Sequence, residues 1–438
     1  MKLTRRLGAA AAALLVTAGA LAGCRGSDTG GGGGGDIKTD IGVTSQACPQ
    51  AIDRTKGCIY LGTISDLTVG PFAPLAVPIT NSQKAFWKRV NEAGGIGGYE
   101  IDVTSYVKDN KYSPQTHNEV YQEIKGKVLA LAQTLGSPTT AAIIGDLKAN
   151  NIVAVPASWT SAWAFEDVIL ESGANYCVES MNAVDYAMGA FTPKSVMAVH
   201  YAGDYGDDAA AGAKYAAEKL GLTFTDVKTD PGQDKQAGAI AQILSAKPDL
   251  IVLTTAPAEA AVIVGGVGAQ ARAAGYTPHF IGTSPTFNPA LNASPAAPAL
   301  QAYYLVTGPW MPWATASPGH EAMRKALGTP TPLSDGYTAG WVWSYPLKAA
   351  LTKAAQNKDL TRAGVLAAAK SLTSVDYEGM LPQGSGNYAG GPDGGQVRLS
   401  TVSKPDPNQP TGVATVQELK AGPTASAFKL EKPCFQSS

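Results

Sequence analysis

Three short stretches of small and hydroxyl-bearing residues have the residue types that could do chemistry in this 438-residue sequence. They read TLGSPTT at 134–140, PASWTS at 156–161 and GTSP at 282–285, and each follows an apolar run of strand character. Hydroxyl groups and free backbone N–H groups at strand-to-helix turns can hold a carboxylate without a positive side chain. Ordinary helix capping explains any one of these stretches. Their repetition, together with the aromatic loop GDYGDD at 203–208, predicts a lined cleft.

The other reactive side chains form no catalytic or metal-binding pattern. None of the four histidines pairs with another at metal-ligand spacing, and the sequence has no Cys-x-x-Cys and no Gly-x-Ser-x-Gly motif. The run GGIGG at 94–98 follows a helical pattern and precedes a strand, the reverse of the order in a dinucleotide-binding loop. We interpret it as a helix end and turn. The sequence therefore predicts no metal, no cofactor and no enzymatic activity.

Apolar runs alternate with helical patterns from Cys58 onward. CIYLGTI at 58–64 is typical of a buried strand, and NSQKAFWKRVNEAGG at 81–95 is typical of an amphipathic helix closed by glycine. This alternation predicts an α/β fold with parallel sheets covered on both faces, with enough units for two sheets. Ligands bind such open sheets at the carboxyl ends of the strands, where the hydroxyl-rich stretches lie. From about residue 375 the pattern changes to an irregular tail containing short strands.

The N-terminus has the pattern of an export signal. Three basic residues precede an apolar run that ends at Leu21 and is too short to span a membrane comfortably. The following Leu-Ala-Gly-Cys, ending at Cys24, resembles a bacterial lipobox, in which the cysteine is acylated and begins the mature chain. An ordinary signal peptide with an incidental cysteine, or a buried apolar helix, is the alternative. Six glycines at 30–35 then predict a flexible tether, so we expect a lipid-anchored protein on the extracytoplasmic face of the cell membrane.

The charge of the chain excludes some partners. Loss of the three basic signal residues lowers the formal net charge from −1 to −4, and no basic run remains. A mildly acidic body argues against nucleic acid and against an anionic lipid surface as partner, so any membrane contact is expected through the lipid anchor only.

Four cysteines remain after Cys24, and an even number in an exported chain predicts two disulfides with three connectivities. Cys48–Cys58 is the simplest local loop, and it leaves Cys177–Cys434 to fasten the C-terminus to the body. A buried, reduced Cys177 is the alternative.

An ordered set of motifs resembles the type I periplasmic solute-binding proteins, in particular the leucine/isoleucine/valine-binding branch that serves ABC importers. The set runs from about Cys58 to Met380 and consists of VGPFA, AFWKRVNEAGGIGGYEIDV, GSPTTAA, VPAS, DYGDDAAAGAK and GAQARAAG…HFIGTS. The resemblance implies two Rossmann-like lobes with parallel sheets, joined by crossing strands, that close on a small ligand like a hinged trap. It also implies a monomer with a transmembrane ABC permease as partner.

The resemblance assigns seven residues to the ligand: Leu75, Ser137, Ala157, Ser158, Trp159, Tyr205 and Ser284. Ser137 and the main chain at 157–159 would hold a carboxylate on the first lobe, and Tyr205 would cover the ligand from the second.

Two positions depart from the amino-acid binders of that family. Ser284 stands where they place an acidic residue against the ligand ammonium, and Trp159 stands where they usually have Thr or Ser. A buried ammonium without a carboxylate partner is costly. Either Glu179 or Asp204 serves instead, or the ligand is not an α-amino acid. Trp159 adds bulk and one N–H donor, and the tryptophans of GPWMPW at 308–313 either add to an aromatic pocket or pack in a surface loop.

The expected organisation is a signal peptide at 1–23, a lipidated cysteine and linker at 24–47, a first lobe at 57–176 plus 303–373, and a second lobe at 177–302 plus 374–438. We expect a solute-binding lipoprotein of an ABC importer that captures a small amino-acid-like, carboxylate or amide ligand. A sensor subunit for a membrane signalling protein shares every one of these features. An exported hydrolase is less favoured because no nucleophile–base–acid set is visible.

Overall fold

The computed structural model describes residues 37–203 and 205–436. The predicted signal peptide, Cys24, the six-glycine run and Asp204 lie outside the described residues. In the described ranges, no helix combines the length and the apolar character that crossing a membrane requires.

The apolar runs of the sequence form strands, and short pairings near the start and a C-terminal hairpin complete the set. The strands are β1 (Lys38–Thr39), β2 (Val43–Thr44), β3 (Gly57–Ser65), β4 (Tyr99–Asp109), β5 (Ala130–Leu135), β6 (Ala154–Ala157), β7 (Ser195–Tyr201), β8 (Thr223–Thr229), β9 (Leu250–Thr254), β10 (Phe280–Gly282), β11 (Tyr304–Gly308), β12 (Asp359–Leu360), β13 (Ser400–Pro405) and β14 (Val413–Lys420).

Helices occupy most of the connections between strands. They are α1 (Ala73–Glu92), α2 (Pro114–Ile124), α3 (Ser137–Ala141), α4 (Ile144–Ala149), α5 (Tyr176–Ala190), α6 (Tyr205–Lys219), α7 (Ala237–Ala246), α8 (Pro257–Ala271), α9 (Ala297–Tyr303), α10 (Pro318–Leu327), α11 (Gly336–Gln356), α12 (Arg362–Lys370), α13 (Gly391–Gly394) and α14 (Pro423–Ala427).

The first sheet contains β2 to β6, with β3 at its centre. β3 runs parallel to β4 and β5, and β6 runs parallel to β5. All residues of β3 except Tyr60 are buried, as expected for a parallel strand covered on both faces. Helices α1 and α11 pack on each other beside this sheet, where the ring centroids of Phe86 and Trp341 lie 5.2 Å apart. The expected parallel α/β architecture is confirmed for this half.

The second sheet has seven strands in the order β14-β13-β11-β10-β9-β7-β8. The five strands β7 to β11 are parallel to one another. The hairpin β13–β14 extends this sheet beside β11, and β13 runs antiparallel to both β11 and β14. The irregular C-terminal tail predicted from the sequence is therefore partly a sheet extension.

The structure differs from the expected linker at 24–47. Its described part, from residue 37 onward, is paired rather than free: β1 pairs with β12, and β2 pairs with β3. The pairing arises because Val43 is buried against the first sheet, which the polar composition of the segment does not reveal.

The structure also moves the expected lobe boundaries. Strand β11 belongs to the second sheet, although the sequence placed 303–373 with the first lobe. Conversely, Val375, Tyr377 and Met380 pack in the core beside the first sheet, although 374–438 was placed with the second lobe. Apolar side chains in the irregular segment after residue 373 determine this packing. They follow no helix or strand period, so the sequence pattern did not predict it.

Both disulfides form as the simplest pairing predicted, Cys48–Cys58 and Cys177–Cys434. Cys177 lies on α5, which packs closely on α6. A Cβ on Gly212 of α6 would lie 1.9 Å from the Cys177 carbonyl oxygen, so only glycine allows this approach.

Candidate functional site

A cavity lies where the carboxyl ends of strands from both sheets meet. Its walls include Gly136 and Ser137 after β5, Ala157 at the end of β6, Ser284 after β10 and Gly308 at the end of β11. The space open to the centres of water-sized spheres is about 110 Å³. A single water needs about 10–15 Å³ by this measure, so the cavity has room for a small organic ligand and not only for one water.

All seven residues assigned from the resemblance line this one cavity: Leu75, Ser137, Ala157, Ser158, Trp159, Tyr205 and Ser284. They come from the first helix, from the loops after three strands and from α6. The structure brings these seven residues together in one cavity. Their role as ligand contacts stays a prediction.

Ser137 supplies a free hydroxyl to the cavity. Gly136 precedes it with a φ of 99°, and a Cβ there would lie 2.5 Å from the Thr139 hydroxyl, so the turn into α3 requires glycine. Ser137 is 8% exposed, and its Oγ has no hydrogen-bond partner among the described residues. A buried hydroxyl without a partner costs about 1–3 kcal/mol, which a ligand oxygen at this position would offset.

A buried network holds the loop that carries Ser137. The Asn110 side-chain amide donates to the Leu135 carbonyl oxygen (2.9 Å) and to Nδ1 of His117 (3.0 Å). Since Nδ1 accepts, Nε2 carries the proton and faces the Thr134 hydroxyl at 3.0 Å. Burial lowers the pKa of His117 to about 3, so the imidazole is neutral at neutral pH.

We expect His117 to make the protein sensitive to acid. Its pKa in the folded chain lies below its ordinary value of 6.5. The unfolded chain therefore binds one more proton between these two values, and stability is lost as the pH falls below about 6.5. The loss approaches about 1.4 kcal/mol per pH unit. Urea unfolding at pH 7, 6, 5 and 4 should show this slope reduced in His117→Gln. Equal slopes in both proteins would contradict the assignment.

Trp159 lies in an aromatic cluster that forms one wall. Its ring centroid lies 4.5 Å from that of Trp343, 5.1 Å from that of Trp310 and 5.6 Å from that of Tyr176. The expected N–H donor toward a ligand is absent, because Trp159 Nε1 donates to the Ser172 carbonyl oxygen at 2.9 Å. Trp159 contributes an apolar ring face. Of the GPWMPW tryptophans, Trp310 lines the cavity, whereas Trp313 packs near Tyr337.

Tyr205, on the side of the second sheet, contacts residues on both sides of the cavity. Its hydroxyl donates to the Thr255 carbonyl oxygen at 2.7 Å, so its ring is the part that faces the cavity. The ring centroid lies 4.8 Å from that of Tyr176 and 6.0 Å from that of Phe72, which precedes α1. Asn288 adds a second contact across the cleft by donating to the Pro74 carbonyl oxygen at 3.3 Å.

Glu179 lies behind Ser284 instead of at the cavity surface. Its carboxylate accepts from the Ser284 N–H at 2.7 Å, from the Ser284 hydroxyl at 3.1 Å and from the Thr307 hydroxyl. Burial raises its pKa to about 7, and these three donors oppose the shift. Glu179 is fully buried and engaged, so it does not offer an oxygen at the cavity surface.

The sequence analysis did not predict a second polar place in the cavity wall, formed by Ser334 and Asp335 at the start of α11. Ser334 and Asp335 both line the cavity, and the Ser334 Oγ and the Asp335 Oδ1 are buried atoms without a partner among the described side chains and backbone. Burial raises the pKa of Asp335 to about 6, while the Trp313 N–H and the Thr411 hydroxyl favour its ionised form. An aspartate before a helix is normally a capping residue, but this side chain makes no capping bond.

The remaining lining is mostly aliphatic and aromatic, and it carries no positive charge. Of the cavity residues in the described ranges, none is Lys, Arg or His, and Asp335 is the only carboxylate. No group of three or more His, Cys, Asp or Glu in the described chain is arranged to hold a metal ion. The arrangement suits an apolar body with a small number of hydrogen-bonding groups.

A family model described as periplasmic binding protein matches residues 59–403. No curated protein matches the chain by sequence. Among solved structures, the chain is similar to a fatty acid ABC transporter substrate-binding protein from Thermomonospora curvata, with 29% identity and a TM-score of 0.80, over 90% of this chain and 97% of that one.

Two more distant structures share the fold. One is a branched chain amino acid ABC transporter protein from Thermus thermophilus with bound valine, with 16% identity, a TM-score of 0.71 and coverage of 84% and 98%. The other is a leucine binding protein from Thermotoga maritima, with 14% identity, a TM-score of 0.68 and coverage of 82% and 98%.

Proposed function

The chain belongs to the periplasmic binding protein family, as a solute-binding protein of the ABC-transporter type, and from that premise we propose that it captures a medium-chain aliphatic carboxylate. The observation that carries this proposal is the lining of the cavity. Aliphatic and aromatic side chains form most of its wall, the Ser137 hydroxyl is buried without a partner, and no basic residue of the described chain lines it.

The carboxylate would lie at Ser137 and the main chain at 157–159. Hydroxyl and backbone N–H donors at a strand end stabilise a carboxylate through hydrogen bonds instead of a counter-charge. The apolar body would then lie against Trp159, Trp310 and Trp343, where burial of each methylene contributes about 0.8 kcal/mol.

An α-amino acid suits this site less well. Its ammonium is bound to the carbon next to the carboxylate, so its acceptor must lie near the carboxylate site. Ser284 stands at the position of the expected acid, and the Glu179 carboxylate behind it is engaged by Ser284 and Thr307. Asp335, at the start of α11, is then the one carboxylate of the described cavity lining that could accept a buried ammonium, which would otherwise lose its hydration without gaining a partner.

Size and similarity support an aliphatic acid. The cavity has room for a small organic ligand, and its mostly apolar lining suits an aliphatic acid. The Thermomonospora curvata protein, 29% identical to this chain, is named for fatty acids.

Capture would proceed by hinge closure, and delivery would follow at a permease. The contacts Phe72–Tyr205 and Asn288–Pro74 cross the cleft, so opening must break them and ligand binding would favour their retention. We further propose that Cys24 is acylated and holds the protein at the extracytoplasmic face of the membrane. Two disulfides in the chain support an oxidising compartment.

A thermal-unfolding screen tests the ligand class. The probes are butanoate, hexanoate, octanoate, leucine, valine and octanamide. We expect hexanoate and octanoate to stabilise the protein by about 2.7 kcal/mol at 100 times their Kd. Leucine and valine should have little effect. Octanamide has the same chain as octanoate but no charge, so its effect shows whether the site requires a negative charge on the ligand or only a hydrogen-bond acceptor. Strong stabilisation by leucine with none by the fatty acids would overturn the proposal.

A further inference from the structure

The cavity has a second polar place that a simple fatty acid would leave without a partner. The Ser334 Oγ and the Asp335 Oδ1 are both buried and unpartnered in the described chain, and Ser334 is only 2% exposed. Both residues line the same cavity as Ser137. They stand at the start of α11, whereas Ser137 follows β5, so the two polar places belong to different structural elements.

Apart from the Thr411 hydroxyl, which favours the ionised form of Asp335, the α11 and α1 residues next to this place within the cavity are apolar. Ala339 and Trp343 follow on the same face of α11, four and eight residues after Asp335, and both line the cavity. Helix α1 packs against this face, where it contributes Leu75 and Ile79 to the lining. A ligand that reaches both polar places therefore has an apolar middle section.

The chemistry of the second place selects a hydrogen-bond donor. An ionised carboxylate only accepts hydrogen bonds, and a serine hydroxyl either donates or accepts. The cavity offers no Lys, Arg or His from the described chain to pair with Asp335. The Trp313 N–H and the Thr411 hydroxyl serve this carboxylate, and an O–H or N–H group of the ligand would supply a donor to its unpartnered Oδ1. A second anionic group would be repelled.

We propose that the ligand carries a hydroxyl or ammonium group at the end of its aliphatic chain away from the carboxylate, and that Asp335 with Ser334 binds this group. The inference rests on the proposed function, in which Ser137 holds the carboxylate. It narrows the substrate class from a fatty acid to an ω-hydroxy or ω-amino acid.

Isothermal titration at pH 8 with chain-matched probes tests the inference. The probes are octanoate, 8-hydroxyoctanoate, 8-aminooctanoate and octanedioate, with the corresponding six-carbon series to allow for cavity length. We expect the hydroxy and amino acids to bind at least tenfold more tightly than octanoate, and the diacid to bind more weakly than octanoate. A ratio near one in both series, or a preference for the diacid, overturns the inference.

Variants locate the effect. In Asp335→Asn the preference for 8-aminooctanoate over octanoate should fall below threefold, because the charge is lost at nearly constant shape. Ser334→Ala should reduce the preference for the hydroxy acid, and this keeps the test valid if the Asn variant does not fold. Ser180→Ala is the matched control, since Ser180 is also buried with an unpartnered Oγ but lies outside the cavity lining; it should retain the wild-type ratios.

The outcomes separate the two proposals. Octanoate binding without any ω-group preference rejects the inference and leaves the proposed function standing. If none of the carboxylates binds, the proposed function fails and the inference fails with it. A preference that persists unchanged in both Asp335→Asn and Ser334→Ala places the second polar group elsewhere and overturns the assignment.

Discussion

Replacing Ser137 and Tyr205 together by alanine should abolish the rise in Tm that a bound carboxylate produces. Ser137 offers an unpartnered buried hydroxyl, and Tyr205 places its ring against the cavity and against Phe72 across the cleft. The double variant thus removes one carboxylate donor and the aromatic contact between the two walls. At 100 times the Kd of the wild type, a shift worth about 2.7 kcal/mol should disappear.

The comparison must use each protein's own ligand-free Tm. Tyr205 is 2% exposed, and truncating a buried aromatic side chain costs about 3–5 kcal/mol by itself. Ser180→Ala, which removes a buried unpartnered hydroxyl away from the cavity, should keep the full ligand shift. A double variant that also keeps the full shift would show that the ligand binds elsewhere.

Removing the Cys177–Cys434 disulfide should cost far more stability than removing Cys48–Cys58. The first bridge closes a separation of 257 residues and the second a separation of 10. The loop-closure entropy of the unfolded chain then predicts losses of about 5.6 and about 2.7 kcal/mol. The longer bridge also holds the C-terminal segment, where the Cys434 N–H donates to the Ser161 hydroxyl at 2.7 Å.

Urea unfolding of the paired alanine variants measures this difference. The double variant Cys177→Ala/Cys434→Ala is compared with the double variant Cys48→Ala/Cys58→Ala. The second variant is the matched control, because it also removes one disulfide and two cysteine side chains; of the four cysteines, all but Cys434 are buried. Equal losses in the two variants would contradict the unfolded-state explanation and indicate that local packing dominates.

Regular patterns in the sequence predicted most of the fold. The run CIYLGTI became most of β3 because a parallel strand buried on both faces needs continuous apolar residues, and SVMAVHY in β7 has the same character. Ser113 caps the N-terminus of α2 by accepting from the Thr116 N–H, and Pro114 follows at the first helical position, a pairing typical of helix starts. Where the pattern is irregular, prediction failed: burial of Val43 and Val375 decides how residues 37–47 and the tail pack.

The site was predictable in position but less so in chemistry. The positions of Ser137 and Ser284 in the site were predictable because both follow strands, and parallel strands bring their carboxyl ends to one edge of the sheet. Whether a side-chain donor is free depends on tertiary contacts, as Trp159 shows by donating to the Ser172 carbonyl oxygen. Asp335 has the sequence appearance of a capping residue, and only its missing capping bond and its place in the cavity wall distinguish it.

The central claim is that the cavity between the two sheets is the place where the ligand binds. A crystal structure of the protein with its tightest carboxylate probe tests this most directly. We predict electron density for one ligand molecule in this cavity, with the carboxylate within hydrogen-bond distance of the Ser137 Oγ and the chain against Trp159 and Trp343. Saturating ligand bound at another surface, with the Ser137 hydroxyl left without a ligand contact, would contradict the account.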